Sequence, residues 1–274
     1  MKTRIISGVV GLVVFILAFS LYDTIFFNIF VGLLSVIAVF ELMRCCSLHK
    51  KYELSIPSYL FAAIAPFINN QTISYLLNTI ITVYVFYLFL ILLIKHKSID
   101  FNSIAKTVFI SIVYPLSFSC LIFIRDSHQK EGIFYILLAF IAAWISDTGA
   151  YFTGYFFGKR KLCPEISPKK TVEGAIGGVI SAIIGFLALS LVFSSIYDKV
   201  VINYPAVIVL APIASIVGMV GDLTASVIKR ENSIKDYGAI MPGHGGVMDR
   251  FDSVIFVLPM IYLISQFIDL IRIV

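Results

Sequence analysis

The chain has 274 residues, of which 59% are hydrophobic and only 14% charged, and its mean hydropathy is +0.98. Soluble domains hold about 25% charged residues and less than half apolar, so this is a membrane protein with no polar stretch long enough to enclose a separate water-soluble catalytic domain. A net charge of +5 is too small to point to nucleic acid as a partner.

Apolar runs able to cross about 30 Å of hydrocarbon at about 1.5 Å per residue fall near residues 5–21, 25–43, 56–68, 74–94, 104–124, 133–157, 174–196, 205–222 and 252–271. The basic start Met1 to Arg4 precedes the first run. No small-residue cleavage pattern follows Leu21, and a second run begins at Thr24, so a retained helical hairpin is expected rather than a removable signal. The third run is short and carries Pro57 and Pro66, which by length alone would also suit a re-entrant segment. Charge decides: the 21 Lys and Arg divide 17 to 4 between alternate segments only if that run crosses. The positive-inside rule then predicts an all-α, polytopic bundle of about nine transmembrane helices. The N-terminus and the loops 44–53, 95–103, 159–173 and 223–251 are cytoplasmic in this reading, and the C-terminus lies outside. The chain then divides into an N-terminal region over 1–130 with about five helices and a C-terminal one over 131–274 that carries the polar loops 158–178 and 221–252. Cys45, Cys46, Cys120 and Cys163 lack CxxC or CxH spacing, and neighbouring cysteines bridge with difficulty, so neither a disulfide framework nor a zinc site is expected.

Asp147 interrupts the run 133–157 between Ser146 and Thr148. An Asp at a helix centre costs on the order of 3 kcal/mol on insertion scales. Either a neutral carboxyl bonds to those hydroxyls, or a polar cavity there holds a cation or substrate. The loop 158–178 carries five basic residues with Pro164, Pro168, Thr171, Glu173, Gly174, Gly177 and Gly178. Basic residues alone would suit a loop facing lipid headgroups, whereas glycines at a helix entrance let backbone amides approach phosphate.

The loop 221–252 is denser in charge, holding Asp222, Lys229, Arg230, Glu231, Lys235, Asp236, Asp249, Arg250 and Asp252. If the eighth helix continues past Gly221, then Asp222, Ser226 and Lys229 share one face, and Asp249 and Asp252 do the same where the last span begins. Between them, Pro242-Gly243-His244-Gly245-Gly246 is expected to form a phosphate-binding nest. Carboxylates, basic residues and a glycine turn suit a magnesium and polyphosphate site; single Asp–Lys pairs would equally serve as interhelical salt bridges.

The run Ser226-x-x-Lys229-Arg230-x4-Lys235-Asp236-x-Gly238-x3-Pro242-x-His244-Gly245-Gly246-x-x-Asp249-Arg250-x-Asp252 resembles the signature of the phosphatidate cytidylyltransferase, or CDP-diacylglycerol synthase, family. It covers about a tenth of the chain. Gly221-Asp222, the Ser167-to-Gly174 loop, Ser146-Asp147, the length and the many spans fit the bacterial members, with Met241 a mild departure where Ile or Leu is commoner. The resemblance implies an enzyme of the bacterial cytoplasmic membrane, facing the cytoplasm. It would transfer a cytidylyl group from CTP to phosphatidic acid with Mg2+ or another divalent cation, one or two per site, and act as a homodimer.

On this reading Asp222 and Asp249 are the metal ligands, with Asp252 and Asp147 as supporting candidates, and Asp222, Asp249, Lys229 and Arg250 form the catalytic set. Arg230, Lys235, Lys169, Lys170, Thr171, Ser226, Gly245 and Gly246 would hold substrate phosphates, and His244 would donate to phosphate or hold the turn rather than act as base. Two other classes remain open: a CTP-dependent lipid kinase, and a transporter lined by Asp147, Asp222 and Asp249.

Overall fold

A computed structural model describes residues 2–68, 74–243 and 245–273. The chain is mostly helical, in the order α1 (Lys2–Ser20), α2 (Ile25–Cys45), α3 (Tyr52–Ile64), α4 (Ser74–Ile94), α5 (Phe101–Val108), α6 (Tyr114–His128), α7 (Gly132–Phe140) and α8 (Ser146–Phe157). A hairpin of β1 (Lys161–Cys163) and β2 (Ser167–Thr171) leads into α9 (Val172–Ile196). Next come β3 (Val200–Ile202), α10 (Tyr204–Glu231), α11 (Met248–Phe251), α12 (Val254–Ser265) and β4 (Ile271–Ile273).

Among the described residues five helical stretches are long and apolar enough to cross a membrane: Ile25–Cys45, Leu76–Ile94, Phe101–Phe157, Val172–Ile196 and Tyr204–Glu231. The third is 57 residues long and takes in both expected spans 104–124 and 133–157. A 3-10 turn at Gln129–Glu131 divides it, with Gln129 at φ 47°. Ser7–Ser20 and Val254–Ser265 are shorter apolar helices.

The last span departs from expectation. Its helix ends at Ser265, and Ile271–Ile273 pairs antiparallel with Val200–Ile202. The Leu270 amide donates to the Tyr135 hydroxyl at 2.9 Å and the Ile273 amide to Glu131 Oε1 at 2.7 Å. Hydropathy ran the last span to Ile271, but β-branched residues pair readily when a partner strand exists, and the partner is about 70 residues away in sequence.

The chain forms two compact units, Met1–Phe123 with Asn232–Arg250, and Ile124–Glu231 with Phe251–Val274. In the first, Phe27, Val31, Ala38 and Leu42 of α2 and Leu54 and Phe61 of α3 are buried, with Leu88 of α4 and Ile104 of α5. Pro57 sits inside α3 and leaves the Glu53 carbonyl without its helical donor; the Tyr87 hydroxyl of α4 donates to it at 3.0 Å. Tyr84 extends the same contact by donating to Ser111 at 2.9 Å, in the π-helical turn Phe109–Val113 between α5 and α6.

In the second unit α8 and α9 pack through small residues. A side chain at Gly149 would run into Ser181, and one at Gly177 into Thr153, so the two helices approach as closely as their backbones allow. Thr171 accepts from the Gly174 amide at 3.1 Å and caps α9. Ser146 and Ser215 pair their buried hydroxyls at 2.6 Å, tying α8 to α10. Gly177→Ala is expected to destabilise the protein by about 1–3 kcal/mol through overpacking. Thermal unfolding in detergent checks this; an unchanged Tm would mean that α8 and α9 do not meet there.

Candidate active site

In the second unit α10 runs on to Glu231, so Asp222, Ser226 and Lys229 do share a face. Successive strand residues point to opposite sides. On β2, Lys169 is exposed while Lys170 is half-buried and forms an ion pair with Asp222, although burial along this short strand does not alternate strictly. Lys229 Nζ stands 3.9 Å from Asp252 Oδ2, and Asp252 lies within electrostatic reach of Asp222 and Asp147 as well. Ser253 joins two of these acids: its amide donates to Asp252 Oδ1 at 2.9 Å and its hydroxyl to Asp147 Oδ2 at 3.1 Å.

Asp147 occupies the first turn of α8, just after the π-helical turn Ile141–Ile145. Single π turns are frequent at functional sites. The neighbours of Asp147 correct the local explanation for it, since they bond elsewhere, Ser146 to Ser215 and Thr148 to the Trp144 carbonyl at 2.7 Å. A hydroxyl that does reach Asp147 comes from Ser253, 106 residues away.

Asp249 and Asp252 do not lie on one helix. α11 ends at Phe251, Asp252 falls in the turn before α12, and Asp249 belongs to the first unit. There Asp249 Oδ2 accepts from the Tyr237 amide at 2.8 Å and the Gly246 amide at 2.9 Å. Gly243 and Gly245 take φ of 80° and 87°, as a tight glycine turn requires, and the Met241 amide closes the turn on the Gly245 carbonyl at 3.0 Å. The protein's own carboxylates narrow the expected phosphate nest. They accept from the Gly246, Val247 and Met248 amides, the last two bonding to Glu41 of α2 at 3.2 and 2.8 Å. Arg44 Nη2 adds a bond to the Tyr237 carbonyl at 2.8 Å, which explains why residues 232–250 group with the N-terminal unit. His244 lies outside the described residues.

The other expected contacts divide by exposure. Arg230, Lys235 and Arg250 are exposed, Ser226 is half-buried, and Thr171 is buried with its hydroxyl engaged in capping α9. Among the described residues no three His, Cys, Asp or Glu converge closely enough to hold a metal ion by themselves. The donor chemistry nevertheless fits Mg2+, which prefers one or two carboxylates and takes its remaining oxygens from water and phosphate. Lys170 and Lys229 already set a positive charge against Asp222 and Asp252.

Glu41, Arg44, Ser215 and Ser253 were not singled out from the sequence. Glu41 had a signal of the kind that marked Asp147, a lone acid at the end of an apolar run. The serines had none.

The architecture defines an integral, mostly helical protein with carboxylates and lysines brought together at helix ends and a basic hairpin. The model of the cytidylyltransferase family matches residues 2–268, and the chain belongs to that family. It is 35% identical over 272 residues, 96% of each chain, to the phosphatidate cytidylyltransferase of Bacillus subtilis (strain 168). It is 47% identical over 133 residues to that of Staphylococcus aureus (strain COL) and 46% over 133 to that of Staphylococcus saprophyticus, matches covering 48% of this chain and 49% of each relative.

The inward turn of Lys170 separates it from Lys169. Lys170→Gln is expected to lower kcat/KM for CTP by about tenfold or more, roughly 1.4 kcal/mol of transition-state stabilisation, in neutral detergent without anionic lipid. Lys169→Gln should cost less, and the double change Lys159→Gln with Lys161→Gln least. Equal losses in all three would mean that the hairpin acts only through its general positive field.

Proposed function

We propose that the protein transfers the cytidylyl group of CTP to phosphatidic acid, giving CDP-diacylglycerol and pyrophosphate. The observation that carries this reading is the family match over nearly the whole chain, joined to a relative of that name at 35% identity over 96% of both chains. The side chains suit the chemistry. In line with the leaving group, an oxygen of the lipid phosphate attacks the α-phosphorus of CTP; the bond from the α-phosphorus to the bridging oxygen breaks, and pyrophosphate departs. A phosphate monoester is anionic near neutral pH, so no strong general base is required. Positioning and charge neutralisation supply most of the acceleration.

Lys170 and Lys229 in one unit hold positive charge beside Asp222 and Asp252, where they can pass from carboxylate to phosphate oxygen as the nucleotide enters. Exposed Arg230 and Lys169, with Thr171 and Ser226, in one unit, and exposed Lys235 and Arg250, with His244, Gly245 and Gly246, in the sequence of the other, are each proposed to contact phosphate of the nucleotide or of the lipid. Asp222 and Asp249 are each proposed as Mg2+ ligands, with Asp147 and Asp252 as supports or as ligands of a second cation. Bound Mg2+ would neutralise charge on the triphosphate and on departing pyrophosphate.

Nine crossings, a cytoplasmic N-terminus and a site open to the cytoplasm of a bacterial membrane belong to the same proposal, supported by the 17 to 4 division of basic residues. The homodimer rests on the family resemblance alone.

Incubating purified protein in detergent with labelled CTP, phosphatidic acid and Mg2+ should yield a CDP-lipid and pyrophosphate; CDP with a phosphorylated lipid would identify a kinase instead, and no turnover would favour a transporter. Chelator is expected to abolish turnover and Mg2+ to restore it. Asp222→Asn and Asp249→Asn should each lose activity by orders of magnitude, since an amide ligates Mg2+ poorly, and wild-type rates in either would remove that residue. Single cysteines placed in 95–103, 159–173 and 223–251 should all label from the cytoplasmic side. A cysteine in 44–53 should label from that side too; finding it on the side opposite to the other three would show that residues 56–68 do not cross.

A further inference from the structure

Glu41 is buried at the end of α2, among the last residues of an apolar helix where an unpaired charge would be costly. Its two oxygens are used separately. Oε1 accepts from the Val247 amide at 3.2 Å and Oε2 from the Met248 amide at 2.8 Å. The preceding amide, Gly246, donates to Asp249 at 2.9 Å, so three consecutive amides of the glycine turn are held by two carboxylates. One belongs to the signature and the other lies 206 residues away. Glycine at 246 and 238 makes this fit possible, because a β-carbon at either would run into the Glu41 carboxylate. One turn further along α2, Arg44 holds the Tyr237 carbonyl, while the amide of the same residue holds Asp249.

We propose that Glu41 is a positioning residue of the reaction: by gripping the Val247 and Met248 amides it holds the turn that aims Asp249. An apolar side chain could anchor the segment by burial alone, but burial has no direction. A carboxylate with one amide on each oxygen sets both the height and the rotation of the turn, and with it the start of α11 that carries Asp249. Outer partners of this kind govern metal affinity about 10- to 100-fold when they are removed. The inference rests on the reading of Asp249 as a Mg2+ ligand.

The test uses full-length enzyme in detergent and three readouts: thermal unfolding, the Mg2+ concentration for half-maximal rate, and Mn2+ binding by electron paramagnetic resonance with CTP present. Glu41→Gln keeps the shape but can accept on only one atom. It is expected to raise the half-activating Mg2+ concentration about tenfold and to weaken Mn2+ binding in parallel, with excess Mg2+ recovering much of the rate. Arg44→Gln removes the second grip, and a favourable charge near Glu41, while leaving the Glu41 carboxylate in place, and should shift both metal readouts the same way; it decides the matter if Glu41→Gln fails to fold. A lowered Tm with unchanged Mg2+ and Mn2+ responses in the folded variants would make Glu41 a stabilising residue only and overturn the proposal. Asp249→Asn separates the two readings. If it leaves the metal responses unchanged, the ligand reading fails and this one with it; if it abolishes them while Glu41→Gln and Arg44→Gln do not alter them, only the inference about Glu41 fails.

Discussion

Carboxylates placed among apolar helices must each find a donor or a cation within the protein, because stripping a charge of water without compensation costs far more than a domain's whole stability. The acids of this chain obey that constraint in different ways. Glu41 and Asp249 take backbone amides, Asp222 takes Lys170, Asp252 takes Lys229 and the Ser253 amide, and Asp147 takes the Ser253 hydroxyl. Each partner fixes a direction as well as a charge. Within each unit the carboxylates are thereby oriented by the protein itself, the form of preorganisation on which the proposed electrostatic catalysis would draw.

What delivers those partners is close helix packing. Small residues let α8 and α9 approach until backbone meets side chain. That approach holds the cap of α9, and the cap in turn holds the end of β2 from which Lys170 reaches Asp222. The Ser146–Ser215 hydroxyl pair ties α8 to α10 and so relates Asp147 to the helix that carries Asp222 and Lys229. A change in any of these contacts would move a charge rather than merely loosen the bundle. In the first unit α2 plays the corresponding part, holding the glycine turn through Glu41 and Arg44.

The signature divides between the two units at Asn232 and again after Arg250. The face of Asp222, Ser226 and Lys229 belongs to one unit, and the glycine turn with Asp249 to the other. A continuous motif thus draws its supports from two separate sets of helices. The tether to α2 is the clearest case, since the Val247 and Met248 amides find their carboxylate on that helix and not within the signature.

By itself the sequence determined the membrane class, the positions of most apolar helices, the family and the acids and lysines worth attention, because these depend on composition, local period and motif spacing. It also carried the condition under which Asp222, Ser226 and Lys229 align, which the length of α10 fulfils. Tertiary structure alone decided where each charge finds its partner: Lys170 rather than Lys169 on Asp222, Ser253 on Asp147 and Glu41 beneath the glycine turn; it also decided that Ile271 opens a strand instead of ending a helix. The reason is physical. Periodicity states which face a residue occupies on its own element, whereas hydrogen bonds between residues 106 or 207 positions apart depend on how helices are placed against one another, and no local pattern encodes that placement.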